Sequence, residues 1–315
     1  MHMVEVSVYP TEPDTNALIA FINSLTTERG ARPLSDHLWL DLQRGGSPGF
    51  VSVRTAGAAG TIAAAQISAA NHESALEVVV GSHIDSDLFV TPTRLARDAA
   101  ETAIDAFRGA GGGPLTIWVD DDEVGATLAE VSVEHGLALE RSLYEMRVSL
   151  PLDHRATVAT RPFVPGIDDA DWVQVNNRAF ADHGEQGGWT LDTLALRQTE
   201  PWFDADGFRI HDIGGRIAAF CWTKVHEPHD GHSSDRPTAI DQIGEIYVIA
   251  VDPQFHGRGL GKQLTLAGLD SIADRGITTA TLYVDGDNAA AVSLYRSLGF
   301  MIHRTRRAFG GQIHP

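Results

Sequence analysis

The sequence predicts an α/β protein built from two tandem domains, each a mixed, mostly antiparallel central sheet flanked by helices (α+β in the looser usage). Three observations carry that reading. A chain of 315 residues is long for one domain. Hydrophobic residues at 43% and charged residues at 21% describe an ordinary globular protein, so each half can bury a core. The two halves also repeat one order of extended and helical segments. The expected boundaries are a first domain over 1–150, a linker over 151–159, and a second domain over 160–315.

Each half opens on an extended segment, Val4–Tyr9 in one and Ala156–Arg161 in the other. A helix follows, with Asp14 before Ala17–Ile22 and Asp168 or Asp169 before Trp172–Val175. These carboxylates suit an N-cap, where backbone N–H groups lack partners. Next comes a hairpin: Gly49–Arg54 with Thr61–Ile67, matched by Gly207–His211 with Ile217–Trp222 across a turn at Asp212–Gly215. A fourth strand is expected at Leu76–Val80 and at Gly244–Val251, then a long helix, then a fifth strand at Leu115–Val119 and at Ala280–Val284. Each half closes with a helix that stops at a glycine, Gly136 or Gly299, and a last strand.

The formal charge of −18 leaves no excess of Lys and Arg to neutralise phosphates, which argues against nucleic acid and against anionic membrane surfaces. A cationic small molecule such as an amine suits it better. Cys221 is the single cysteine, so a reducing compartment fits and no internal disulfide is available. Neither a basic start followed by an apolar run nor a stretch of roughly 18 apolar residues occurs, so the expectation is a cytoplasmic protein, taken as a monomer.

The informative stretch runs from Val248 to Leu264. A buried strand ends at Asp252-Pro253, and glycines at 257, 259 and 261 open an amphipathic helix. Glycines let the backbone approach a ligand closely, and the first N–H groups of a helix point outward with the positive end of its dipole behind them. That suits a pyrophosphate, with Arg258 and Lys262 adding charge. A Walker loop needs Ser or Thr where Gln263 stands, and a dinucleotide fingerprint needs G-x-G-x-x-G where this run reads G-x-G-x-G. The remaining option is an acyl-CoA loop, with His256 at a position usually held by Arg or Gln. A second signature follows: Asn288 opens a helix, Tyr295 lies seven residues on, and Leu298-Gly-Phe300 closes it. Asn288 can hold the cofactor arm, and Tyr295 can present its phenol to a departing sulfur.

With these two motifs, the chain resembles the GNAT N-acetyltransferases, and more narrowly the tandem-GNAT mycothiol synthases. The resemblance spans the chain in element order. It is tightest at Asn176–Phe180, His183–Thr190, Trp202–Asp204, Trp222–His226 and Gly244–Tyr247. What it implies is transfer of acetyl from acetyl-CoA, the co-substrate, to the cysteinyl amine of Cys-GlcN-Ins. It places the cofactor on Ile249, Ala250 and Val251, on His256, Gly257, Arg258, Gly259, Leu260, Gly261 and Lys262, and on Asn288, Ala289, Ala290, Ala291, Val292 and Ser293. It places the acceptor near Asp36, Glu185, Lys224, Glu245 and Tyr283. An amine attacks only when neutral, so a base must take its proton, and Glu245 is the candidate. Backbone N–H near Val251 would polarise the thioester, and Tyr295 would protonate the leaving thiolate. No metal is required. Other readings of the same features are a GNAT enzyme for a different small amine or a protein N-terminus, and a non-catalytic acyl-CoA-binding module.

At the point matching the glycine loop, the first half reads Val80–Phe89 with one glycine and neither Arg nor Lys, and Ser132 stands where Tyr295 stands in the second. The expectation is a first half that does not catalyse, binds CoA poorly, and walls the substrate cleft. His226, His229 and His232 suggest a metal, but Pro228 prevents the helix that an H-E-x-x-H site requires. Cys221 sits in an apolar strand and reads as an inert buried thiol. Trp189 and Trp202 fit either substrate packing or the core.

Overall fold

The computed structural model describes residues 3–8, 15–29, 32–57, 60–70, 73–82, 90–181, 186–226 and 242–315. The chain divides into two compact units, one of residues 1–143 with 304–315, the other of residues 144–303.

In the first unit, β1 (Met3–Val8) is followed by α1 (Asn16–Arg29), α2 (Asp36–Gln43), β2 (Val51–Gly57), β3 (Gly60–Ala70) and β4 (Glu73–Val80). Then come α3 (Pro92–Gly109), β5 (Gly113–Val119), α4 (Glu123–Glu134) and the first half of β6 (Ala138–Ser149). The strands β1 to β4 form an antiparallel meander, and β4 runs parallel to β5. Helix α3 buries Leu95, Ala96, Ala99, Ala100, Ala103, Ile104 and Phe107, a stripe at helical spacing whose small residues let it lie close on the sheet. The opposite face is closed by α1 and α2 through Ile22, Leu38, Trp39 and Leu42.

The second unit takes up the rest of β6, then β7 (Arg161–Pro162), α5 (Asp169–Ala179), α6 (Leu191–Gln198), β8 (Phe208–Ile213), β9 (Arg216–His226) and β10 (Ile243–Val251). It ends with α7 (Leu260–Ala273), β11 (Thr279–Asp285), α8 (Ala289–Ser297) and the start of β12 (Met301–Ile313). The strand order is β6-β11-β10-β9-β8-β7. Helices α7 and α8 pack on one face with Ile246, Leu282 and Val284. The other face holds an aromatic core in which Trp172 meets Trp189, Phe208, Phe220 and Trp222 edge-on.

Four expectations are revised. The sequence places the last strand with the second domain; from Arg307 onward β12 instead pairs antiparallel with β5, so residues 304–315 group with the first unit. The extended segment at 156–161 reduces to Arg161–Pro162. Its backbone is held by helix side chains instead: Ala156 N–H donates to Asp270 (2.9 Å) and Thr157 N–H to Gln263 (2.7 Å). Asp168 precedes α5 but does not cap it, because its carboxylate takes Arg161 Nη1 (2.7 Å), Arg161 Nη2 (3.0 Å) and Val164 N–H (2.7 Å). Helices α2 and α6 were not foreseen; each has 8 residues, too few for a periodic signal. Asp14 lies outside the described residues.

Candidate active site

The site grows from β10. Its pairing with β9 runs Ile243↔His226 to Ile246↔Thr223, slips, and resumes at Val248↔Trp222. Tyr247 is the extra residue of a β-bulge, which reverses the alternation of faces beyond it. Before the bulge, Gly244 and Ile246 turn to α7, where a Cβ on Gly244 would collide with Ile272. After it, Ile249 and Val251 take that face, while Val248 and Ala250 join the aromatic core. Glu245 therefore projects to the aromatic side, at 7% exposure.

On the opposite edge, β10 runs parallel to β11 only from Ile243↔Thr279 to Ile246↔Leu282. Both strands continue, to Val251 and Asp285, but they part. A slot opens beyond that last pair, with Glu245 one residue before its closed end. The alternation of β11 puts Leu282 and Val284 in the core and sets Thr281 and Tyr283 on the Glu245 face, Tyr283 being exposed.

At the end of β10, Asp252 is fully buried. It accepts Arg178 Nη2 of α5 at 2.6 Å and Gln254 N–H at 3.0 Å, which fixes the turn Pro253–Phe255. Burial pushes this carboxyl up, but Arg178 and the Gln254 N–H outweigh it and hold it below the ordinary carboxylate range. Gly257 (φ +76°) and Gly259 (φ +72°) are left-handed, a conformation that side-chain-bearing residues adopt at a cost. Gly259 is the N-cap of α7, so the N–H groups of Leu260, Gly261 and Lys262 precede the first intrahelical bond, Gln263 N–H to Gly259 O. Gly261 needs no unusual backbone, and a Cβ there would meet only Leu294, at 3.8 Å. A glycine inside a helix costs about 1 kcal/mol against alanine, so close approach of a ligand explains it better than conformation does. These features fit a pyrophosphate.

Several side chains are occupied in ways the sequence did not foretell. His256 Nε2 donates to the Val251 carbonyl at 3.0 Å, tying the loop to the strand. Asn288 caps α8, its Oδ1 accepting Ala291 N–H at 3.0 Å. Arg258 lies over the Phe255 ring, 5.2 Å from its centre. Lys224 sits across from Glu245 on β9, with Nζ 4.7 Å above Trp202 and 5.3 Å above Tyr247. Trp189 is buried in the core. Tyr295 is buried among the residues of α7, α8 and β9–β11. Burial, with a smaller contribution from the Cys221 thiol, pushes its phenol up to about 12. The Cys221 thiol is itself pushed far up by burial, which leaves it inert. Asp36 begins α2 in the first unit and pairs with Arg32 at 3.1 Å.

Glu185, His229 and His232 lie outside the described residues. The segment just after Glu185 is gripped by an asparagine pair: Asn177 bonds Trp189 N–H (2.9 Å) and Trp189 O (2.8 Å), and Asn176 Nδ2 bonds Gln186 O (2.8 Å). Among the described residues no group of three or more metal-ligating side chains occurs, and no helix is long and apolar enough to cross a membrane.

A model of the acetyltransferase (GNAT) family matches residues 172–300. Among solved structures, a GCN5-related N-acetyltransferase from Sphaerobacter thermophilus superposes with a TM-score of 0.62 at 17% identity, covering 100% of this chain and 96% of that one. A tandem GNAT protein from the clavulanic acid pathway gives 0.58 at 14%, covering 100% and 99%. Both establish the fold. A mycothiol acetyltransferase of Thermomonospora curvata is 38% identical over 296 residues, 92% of this chain and 91% of its own. The chain belongs to the mycothiol acetyltransferase family. A further member, from Thermobispora bispora, is 36% identical over 302 residues, covering 94% and 96%. As a member of this family the chain is a GNAT acyltransferase, and its fold implies use of acetyl-CoA. The Asn176–Asn177 clamp lies in two of the runs that carried the family resemblance, so part of that signature is structural rather than chemical.

Proposed function

We propose that the chain acetylates the cysteinyl amine of Cys-GlcN-Ins, the last step of mycothiol biosynthesis, using the slot between β10 and β11. The observation that carries this reading is a buried carboxylate, Glu245, beside the closed end of that slot, in a chain similar along nearly its whole length to proteins named mycothiol acetyltransferase.

Acetyl-CoA supplies the acetyl group, and CoA departs as the thiolate, which then takes its proton from water. The N–H groups of Leu260, Gly261 and Lys262, with Arg258 and Lys262 beside them, hold the pyrophosphate, and the segment from Asn288 to Ser293 borders the arm. Glu245 takes the proton of the acceptor amine, directly or through one water, which makes the nitrogen lone pair available. Backbone N–H near Val251 donates to the carbonyl oxygen as charge grows there. Tyr295, kept protonated by its burial, donates a hydrogen bond to the departing sulfur. Because that phenol is a weaker acid than an ordinary thiol, stabilisation by hydrogen bonding rather than complete proton loss is its part. Lys224, Tyr283, Glu185 and Asp36 are assigned to the acceptor, the last two on resemblance alone.

Residues 1–143 carry no acetyl transfer. Counting back from the last β4–β5 pair, Ala75 stands where Glu245 does, and Ser132 stands where Tyr295 does. The test is CoA release with purified Cys-GlcN-Ins beside a panel of other small amines. Cys-GlcN-Ins should be preferred, and Glu245→Gln should slow kcat by a factor of at least about 100. Equal turnover of unrelated amines, or a Glu245→Gln enzyme at full rate, would refute the reading.

A further inference from the structure

His226 ends β9 and pairs with Ile243, two positions from the Lys224–Glu245 pair, so its ring stands diagonally across from Glu245 on the same sheet face. Its Nε2 lies 2.6 Å from Glu245 Oε2. A carboxylate only accepts, so Nε2 carries the hydrogen and donates. Glu245 is nearly buried, where a carboxylate without a donor is costly.

The other charged and titratable groups around this carboxylate are placed as follows. Lys224, beside it on β9, lies over Trp202 and Tyr247. Thr281, opposite on β11, bonds the Met146 carbonyl (3.2 Å) and Glu145 Oε1 (3.5 Å), and Glu145 in turn pairs with Arg147 at 2.7 Å. Arg178 of α5 is engaged by Asp252 at the far end of β10. Helix α7 meets β10 on the other face, through Ile272.

We propose that His226 is a positioning residue for the general base: by donating from Nε2 it holds one oxygen of Glu245 and leaves the other for the acceptor amine or the water beside it. This rests on the reading of Glu245 as the base.

Leucine at 226 keeps comparable bulk and removes the donor. A hydrogen bond to a charged group is worth enough that its loss should lower kcat about ten- to hundred-fold. The KM for acetyl-CoA should be unchanged, since the loop at Gly257–Gly261 is untouched. Glutamine places an amide N–H at similar reach, and His226→Gln should recover most of the rate. Should His226→Leu fail to fold, His226→Asn, too short to reach, carries the same expectation. Variants without the donor that keep the wild-type rate would overturn the assignment, as would a His226→Gln enzyme as impaired as they are. Glu245→Gln and the double variant Glu245→Gln/His226→Leu separate the two readings. A fully active Glu245→Gln enzyme removes the base itself. A slow one beside a normal His226→Leu enzyme removes only the role of His226, and no additional loss in the double variant is the result expected if His226 acts through Glu245.

Discussion

Replacing Arg178 by alanine tests how the glycine loop is anchored. The guanidinium of Arg178, on α5, reaches the end of β10 and meets Asp252 at 2.6 Å. The carboxylate has 0% side-chain exposure, whereas the Arg178 side chain has 39%. Breaking a buried pair by removing one partner costs roughly 3–5 kcal/mol, because a charge is stranded. Here the arginine is over a third exposed, so solvent already screens the pair, and the Gln254 N–H still serves the other oxygen; about 2 kcal/mol is the reasonable expectation. For a unit of this size that lowers Tm by about 4–8 °C. Asp252 also begins the turn that sets Gly257–Gly261, so the KM for acetyl-CoA should rise several-fold while the acceptor KM stays near its original value. The pH dependence has a defined sign. The folded-state carboxyl is held below the ordinary range, so its contribution is fully present above about pH 4–5 and is lost as pH falls through the lowered folded value. The Tm difference between wild type and Arg178→Ala, followed by calorimetry, should therefore be flat from pH 8 to about 5 and shrink below about 4. A variant within about 1 °C of wild type, with an unchanged KM for acetyl-CoA, would refute the anchoring role.

Two further outcomes follow from the same geometry. Tyr295→Phe should lower kcat about ten- to hundred-fold, read by CoA release. Because the phenol is raised to about 12, the wild-type profile should show no loss from its ionisation below about pH 11. Gly259→Ala puts a Cβ on a left-handed N-cap at φ +72°; strain of about 1–2 kcal/mol should appear as a lower Tm and a higher dissociation constant for CoA by calorimetric titration.

Much of this site was legible because it is local. Glycines at 257, 259 and 261 before an apolar helix mark a turn of close backbone approach, and the first two prove to be left-handed. The two helix stops were readable for the same reason. In each, the glycine donates to the residue three before it and the next residue reaches five back: Leu137 N–H to Ser132 O, and Phe300 N–H to Tyr295 O. What escaped is not local. The bulge at Tyr247 exists only relative to the register of β9. Arg178 and Asp252 are 74 positions apart. His226 looked like one of three histidines in a run, and only the β9–β10 register shows that its partner is a carboxylate. The last strand could not be assigned to the first unit from its own residues, since the partner strand alone decides it.

The comparison of the two units separates architecture from chemistry. In the first, β4 pairs with β5 only over Ser74–Leu76 and then continues to Val80, so the parting of parallel strands is present there too. Its β3–β4 register, however, runs without a break from Ala63↔Val80 to Ala70↔Glu73. Strand parting is thus common to the two units, and it does not by itself make a catalyst. Three additions distinguish the second unit: a bulge that reverses the facing of β10, a carboxylate just before it with an imidazole donor, and a phenol in the helix that follows β11. An alternating strand without the bulge would turn Val248 and Ala250 to the α7 face and bring Ile249 and Val251 to the side of Glu245. The bulge is therefore what lets one strand present a buried carboxylate at its start and still seat its far end against α7, where the glycine loop begins.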